Sequence, residues 1–211
     1  MAPRSDPTLF DRWSVGYDRP GLQRLAYRPV HDAVMARLER MAPAVVLDLG
    51  CGTGQLTRRL CGEFVDATIV GADLSEGMLA EAASRLARIG GATPSLVRAD
   101  ADDLPFTDSS VDLVVCTESF HWYPDQARAA DELARVLAPG GRVLIASIAT
   151  YTGPGDRLLR SATAAGGRTV RALPPSRMRR LLVGAGFDVV HQGRVPRLGL
   201  LPWPVLTEAQ R

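Results

Sequence analysis

The chain of 211 residues contains no lysine and no asparagine, and all 25 of its basic residues are arginine. This bias has no direct functional meaning, but the net charge it leaves, +2 with histidine neutral, is too small to mark a nucleic-acid footprint. Cysteine is equally scarce. Cys51, Cys61 and Cys116 are odd in number and lack metal-ligand spacing, which argues against a disulfide framework and a bound metal and fits a reduced, cytoplasmic setting. Also missing are an apolar run long enough to span a bilayer and a signal-peptide core near Arg4, Asp6, Asp11 and Arg12, so a soluble protein with no integral membrane segment is expected. With 46% hydrophobic residues, the length suits one well-buried domain and would leave two cramped.

What the chain does contain is centred on residues 45–56. Val45, Val46, Leu47 and Leu49 flank a single acid, Asp48, and three glycines follow at alternate positions, Gly50, Gly52 and Gly54. The pattern predicts a buried strand feeding a tight turn and a helix, with backbone passing close to a polar ligand where a Cβ would collide. An ionised Asp48 inside that strand needs a partner, because an uncompensated buried polar group is costly. A second apolar segment, residues 67–72, ends at Asp73, which lies 19 positions beyond Gly54. At that βαβ spacing an acid accepts hydrogen bonds from a ribose, so a nucleoside-containing cofactor is implied.

The remaining sequence reads as alternating helices and strands. Residues 1–8 form a loose tail, and residues 10–41 show helical spacing, with Leu22, Leu25, Ala26, Val30, Val34 and Leu38 near one face and breaks at Pro20 and Pro29. Thr53 is placed to cap a helix over 55–61, and Ser75 one running to about 89. Strands are expected over 95–99, 111–116 and 142–147, with a helix over 125–137 stopped by Pro139-Gly140-Gly141. A helix over 176–185 and strands over 187–194 and 200–207 close the chain, although Pro202 and Pro204 sit badly in the last strand. The strand over 111–116 delivers Thr117 through Tyr123 to the carboxyl edge, where open α/β sheets bind ligands. His121, the only histidine near that edge, is either a general base or a packed histidine of its loop, and Glu118 is the candidate to orient it. Trp122 and Tyr123 either wall an apolar substrate or cap the next helix. Arg168, Arg171, Arg177, Arg179 and Arg180 form the densest positive run, either a solvated helix face or a contact for an anionic substrate or membrane surface.

Four segments, in order and at matching spacing, resemble the class I S-adenosylmethionine-dependent methyltransferases, in particular the small-molecule group that includes the ubiquinone and menaquinone methyltransferases. They are Val-Leu-Asp-Leu-Gly-Cys-Gly-Thr-Gly at 46–54, Gly-Ala-Asp-Leu-Ser-Glu-Gly-Met-Leu at 71–79, Ala-Asp-Ala-Asp-Asp-Leu-Pro-Phe at 99–106 and Glu-Leu-Ala-Arg-Val-Leu-Ala-Pro-Gly-Gly-Arg-Val-Leu at 132–144. The resemblance implies an α/β fold: a doubly wound, Rossmann-like, seven-stranded sheet, mostly parallel with an antiparallel C-terminal strand and helices on both faces. Within one domain over 1–211 it implies a helical preamble (1–43), a cofactor-binding core (44–147), a short substrate-side insertion (148–175) and a C-terminal helix with closing strands (176–211). The implied cofactor is S-adenosyl-L-methionine, and the implied reaction is in-line methyl transfer to an O, N or C nucleophile of a small-molecule substrate. For the cofactor's amino-acid end the resemblance points to Tyr17 and Asp48, and the turn residues Gly50, Cys51, Gly52 and Gly54 join the cofactor set. It assigns Asp73 to the ribose, places Met78 against the adenine, has Asp100 accept from the adenine 6-amino group and the Ala101 N–H donate to the ring, and adds Leu74, Asp102 and Thr117 to the cofactor set. The insertion is short, so the pocket is open or completed by a partner subunit, as in a homodimer.

Two other readings stand beside this one. An NAD-dependent oxidoreductase shares the first turn but usually shows Gly-x-Gly-x-x-Gly, and position 55 here is Gln. A non-catalytic or repurposed relative would keep the cofactor-binding residues without transferring a methyl group. Amino-methylation of nucleic acid is disfavoured, because Thr117-Glu118-Ser119-Phe120 stands where an Asn-Pro-Pro-aromatic or Asp-Pro-Pro-aromatic motif is needed.

Overall fold

The computed structural model describes residues 27–87, 93–149, 170–196 and 203–211, together with Leu25. Tyr17, Arg168, Pro202 and most of the segment expected to carry the substrate-side insertion lie outside the described residues. In chain order the elements are α1 (Arg28–Leu38), β1 (Val45–Leu49), α2 (Gln55–Glu63), β2 (Thr68–Asp73), α3 (Glu76–Leu86), β3 (Ser95–Arg98), β4 (Val111–Thr117), α4 (Gln126–Val136), β5 (Leu137–Ile148), α5 (Pro175–Gly184), β6 (Asp188–Arg194) and β7 (Pro204–Gln210). A 3₁₀ turn, Phe120–Trp122, follows β4.

The seven strands make one sheet in the order β3-β2-β1-β4-β5-β7-β6. β1 to β5 pair in parallel, and β7 runs antiparallel between β5 and β6. Parallel strands joined by helices must be covered on both faces, and the burial pattern shows that they are. Val46, Leu113, Val115, Leu144 and Ala146 face one core with Val34 and Leu38 of α1 and Leu56 and Leu60 of α2. Their neighbours Leu47, Val114, Cys116, Val143 and Ile145 face the other, with Leu133 of α4, Met178 and Leu182 of α5, and Phe187. Successive side chains alternate between the faces, as a period of two requires.

Several sequence expectations shift. Leu25 is exposed, so the buried stripe of α1 begins at Val30. Pro139-Gly140-Gly141 does not separate helix from strand: β5 starts at Leu137, and the register against β4 slips between Val111↔Leu137 and Leu113↔Arg142. Gly140 takes φ +79° at this irregularity, a conformation that suits glycine. The last strand begins at Pro204 rather than at 200, and Pro204 is its first residue, the position at which a strand tolerates proline. Arg177, Arg179 and Arg180 are exposed on α5, a solvated helix face. No helix among the described residues is long and apolar enough to cross a membrane.

One feature of the closing strands had no sequence signal. Glu208, in the interior strand β7, is 2% exposed, and its carboxylate accepts from Arg37 Nε of α1 and Arg142 Nη1 of β5, each at 2.8 Å. Two arginines therefore share the compensation of one buried charge. Arg37→Ala leaves Arg142 in place, so the expected loss, measured by urea unfolding, is about 2 kcal/mol rather than the larger cost of orphaning the carboxylate.

Candidate active site

The strands β1, β2 and β4 end side by side, and their carboxyl ends carry Asp48, Asp73 and Thr117. The turn after β1 is locked to the end of β2 by Gly50 N–H and Cys51 N–H, which both donate to Ala72 O, at 2.7 and 3.0 Å. Gly50 has φ +73°, and a Cβ built on it would lie 2.0 Å from Ser119 Oγ and 2.4 Å from Ser119 Cβ. Gly52 has φ +54°, and a Cβ there would meet nothing within 4 Å. The turn is thus closed on the side of Ser119 and open at Gly52, which leaves backbone exposed to a ligand. Gly54, in the left-handed conformation, is the N-cap of α2, and no side chain caps that helix. Thr53 does not perform the capping role expected of it; it is 1% exposed and its carbonyl accepts from Arg85 Nε at 2.8 Å.

Asp48 lies beneath this turn, 1% exposed. Its Oδ2 accepts from Thr57 Oγ1 at 2.6 Å, while Oδ1 is buried without a hydrogen-bond partner among the described residues. Burial pushes its carboxyl up to about 7; the Thr57 hydrogen bond opposes that and the nearby Asp73 charge adds to it. Asp73 is half-buried and bridges two elements: Oδ2 accepts from Gly52 N–H and Oδ1 from Ser75 N–H, both at 2.9 Å. Ser75 caps α3 as expected, its hydroxyl accepting from Met78 N–H at 3.1 Å. Met78 is 3% exposed and part of the core on the inner side of α3. Half-buried Leu74 offers its carbonyl to Arg98 Nε at 3.2 Å. Cys51 is buried, and burial together with Asp48 and Asp73 pushes its thiol well above the ordinary range, so it is no nucleophile at neutral pH.

After β3, Asp100 Oδ1 accepts from Asp102 N–H at 3.2 Å, and Asp100 O accepts from Asp103 N–H at 3.1 Å. Ala101 and Leu104 are buried and Phe106 packs against the core. Asp102 Oδ1 is buried without a hydrogen-bond partner among the described residues, and burial, reinforced by Asp100 and Asp125 against an opposing Arg128, pushes its carboxyl up to about 6.

After β4, Glu118 adopts φ +53°, a strained conformation for a residue with a Cβ, and its N–H donates to Ala146 O at 2.7 Å. This bend turns the chain into the 3₁₀ segment. His121 is 1% exposed; its Nδ1 lies 3.2 Å from Ser147 Oγ, its ring 5.1 Å from that of Trp122, and its carbonyl accepts from Arg171 N–H at 2.7 Å. Tyr123 is half-buried. Its ring packs edge-on against Phe120, and its hydroxyl accepts from Ser119 Oγ at 2.9 Å, 3.5 Å from Cys116 Sγ. Burial pushes its phenol well above the ordinary range, so it stays neutral. Ser119 and Ser147 are the site residues that sequence reasoning missed, because their roles come from contacts across the sheet edge.

The ends of β1, β2, β3 and β4 and the turns that follow them bring Asp48, Gly50, Cys51, Gly52, Gly54, Asp73, Leu74, Asp100, Ala101, Asp102 and Thr117 to this edge, whereas Met78 lies within α3 and packs in the core. A separate groove of about 560 Å³, lined by Arg37, Arg40, Asp112, Arg142 and Glu208 among others, opens at the opposite end, where β4 and β5 begin. No cluster of His, Cys, Asp and Glu able to hold a metal occurs among the described residues.

Residues 47–145 match the family described as methyltransferase domain. Trans-aconitate 2-methyltransferase of Methylobacterium radiotolerans is 31% identical over 197 residues, which cover 87% of this chain and 69% of that protein. Malonyl-acyl-carrier-protein O-methyltransferase of Methylococcus capsulatus is 37% identical over 145 residues, 68% of this chain and 51% of that protein. Apart from the first, the chain spans about half the length of the curated relatives it matches. Among solved structures, the methyltransferase bound to the Haloferax volcanii Trm112 methyltransferase activator is 25% identical, with TM-score 0.76 over 95% of this chain and 96% of that one.

Proposed function

Because the chain belongs to the S-adenosylmethionine-dependent methyltransferases, we propose that it transfers the cofactor's methyl group to an O, N or C nucleophile of a small-molecule acceptor. The observation that carries this reading is Asp48: a fully buried carboxylate with one orphaned oxygen, set under a glycine turn that is open at Gly52. A buried acid without a second partner is costly, and a ligand cation at the turn would satisfy it. The residues fit the cofactor. Asp48 would receive its ammonium group, the Gly50–Gly54 backbone its carboxylate end, Asp73 its ribose hydroxyls, and Asp100 with Ala101 N–H its adenine. Leu74, Asp102 and Thr117 line the same edge, and Met78 backs it from the core side of α3. Bound there, S-adenosylmethionine supplies an electrophilic methyl group on a sulfonium.

The chain's own part in the reaction is to hold and align. The strained Glu118 bend and the 3₁₀ turn set His121 behind the cofactor edge, and Ser147 fixes the His121 ring through Nδ1. We assign His121 the removal of a proton from a protic acceptor and Glu118 a supporting place beside it. His121→Ala is expected to leave cofactor affinity within about twofold and to lower the transfer rate by about 10²-fold or more. An unchanged rate with a genuine acceptor removes the catalytic role.

The proposal extends to the setting. One methyltransferase domain over 1–211 works in the cytoplasm, where its three free thiols stay reduced. A second copy of the chain completes the acceptor side, which light scattering of the purified protein tests. Transfer itself is tested by incubating the protein with methyl-labelled S-adenosylmethionine and a panel of small hydroxyl, amine and carboxylic-acid acceptors; label in none of them while cofactor binds would favour the non-catalytic reading.

A further inference from the structure

Three side chains on one stripe of α4, Arg128, Glu132 and Arg135, grip the loop that follows β3; their spacing of four and three residues puts them on one helix face. Arg128 Nε donates to Asp102 O at 2.6 Å. Glu132 Oε2 accepts from Leu104 N–H at 2.8 Å. Arg135 donates through Nη2 to Leu104 O at 2.9 Å, and through Nη1 to Phe106 O at 2.7 Å and Asp108 Oδ1 at 2.8 Å. The helix residues also brace one another, with Arg135 Nε and Nη2 donating to the two Glu132 oxygens at 2.8 and 2.7 Å. Three carbonyls and one N–H of the segment from Asp102 to Phe106 are thus fixed from a single helix. That segment is tied in turn to Asp100, whose Oδ1 accepts from Asp102 N–H.

We infer that this stripe is the positioning device of the nucleobase subsite: by holding the backbone from Asp102 to Phe106 it keeps the Asp100 carboxylate and the Ala101 N–H in register and so selects a 6-amino purine over a 6-oxo purine. The inference rests on the proposed function, in which those two groups receive the adenine. Adenine offers a donor at its 6-amino group and an acceptor at ring N1, matching an acceptor at Asp100 and a donor at Ala101. Hypoxanthine reverses both. Discrimination by such a pair depends on neither group being free to swing aside, because a mispaired group that moves out to water loses little. The planar guanidinium of Arg135 addresses two carbonyls, Asp108 and Glu132 together, a geometry that a lysine ammonium cannot reproduce.

The test is calorimetric titration of the full chain with S-adenosyl-L-homocysteine and S-inosyl-L-homocysteine, for the wild type and for Arg135→Lys, Arg135→Ala and Arg128→Ala. The wild type is expected to prefer the adenosyl compound. Arg135→Lys, which keeps the charge, is expected to lower that preference at least about tenfold, the equivalent of one lost hydrogen bond, with a smaller loss for Arg128→Ala. A merely structural role would weaken both ligands by the same factor or reduce the folded fraction, leaving the preference unmoved; that result overturns the inference, and the Lys and Arg128 variants deliver it even if Arg135→Ala fails to fold. A wild type that binds neither ligand overturns the proposed function and the inference with it, whereas binding with an unmoved preference in the variants overturns the inference alone.

Discussion

Replacing Gly50 with alanine is expected to abolish measurable binding of S-adenosylhomocysteine and to lower the thermal midpoint of the protein. Gly50 holds φ +73°, where an L-residue pays about 1–2 kcal/mol in backbone strain. The larger effect is steric. The new Cβ would stand 2.0 Å from Ser119 Oγ and 2.4 Å from Ser119 Cβ, far inside van der Waals contact. Ser119 cannot yield freely, because its hydroxyl donates to Tyr123 OH at 2.9 Å, and the Tyr123 ring is held against Phe120. Either the turn opens or the segment after β4 shifts, and both displace groups assigned to the cofactor. A loss of affinity of at least about 100-fold, or ~2.7 kcal/mol, follows. Gly50→Ala combined with Ser119→Gly removes the colliding atoms and is expected to recover part of the thermal midpoint. If Gly50→Ala binds like the wild type, the turn does not form the cofactor cradle.

Asp48→Asn is expected to separate stability from binding. The Asp48 carboxyl, ordinarily near 3.8, is pushed up to about 7, with burial the main cause. Below about pH 4 the group is protonated in both folded and unfolded chains and does not affect stability. Between about 4 and 7 the unfolded chain ionises first, so the folded state loses about 1.4 kcal/mol per pH unit; above 7 the loss is complete, on the order of 4 kcal/mol. Asparagine does not ionise, although its buried amide lacks a second partner, which returns part of the gain. Urea unfolding should therefore show Asp48→Asn more stable than the wild type by about 1–3 kcal/mol at pH 8 and little different at pH 4. At pH 8, where Asp48 is ionised, affinity for S-adenosylhomocysteine should fall about 100-fold, because a charge-assisted bond to the ammonium group is lost; at pH 4, where the wild-type carboxyl is itself protonated, the difference should shrink. A variant that is less stable at pH 8 and binds as tightly as the wild type would show that Asp48 is a purely structural acceptor for Thr57.

The parts of this molecule legible in the sequence are those determined by short-range pattern. The apolar run of β1, the alternate glycines, the Ser75 cap and the acid at the end of β2 each follow from local backbone and burial rules, and each stands where its pattern put it. Strand β5 departs from the local pattern because Pro-Gly-Gly is ordinarily a terminator, while here the sheet absorbs it as an irregularity at Gly140, under the constraint that Gly141 fits against Ala138 O and Asp112 O. Thr53 suits capping by residue type, but the left-handed backbone of Gly54 places the cap one residue later. Contacts between distant segments left no trace in any local pattern. Ser119 over Gly50, Ser147 against His121, the two arginines on Glu208 and the α4 stripe gripping the loop after β3 all pair residues far apart in the chain, and only the sheet order brings them together.

The most direct test of the central claim is calorimetric titration of the purified protein with S-adenosylmethionine and S-adenosylhomocysteine, with NAD as control, near pH 6 in two buffers of different ionisation enthalpy. Micromolar binding of the first two with none of NAD is expected, together with net proton release as the cation draws the proton off Asp48. Binding of NAD, or silence from both S-adenosyl compounds in protein shown to be folded, would contradict it.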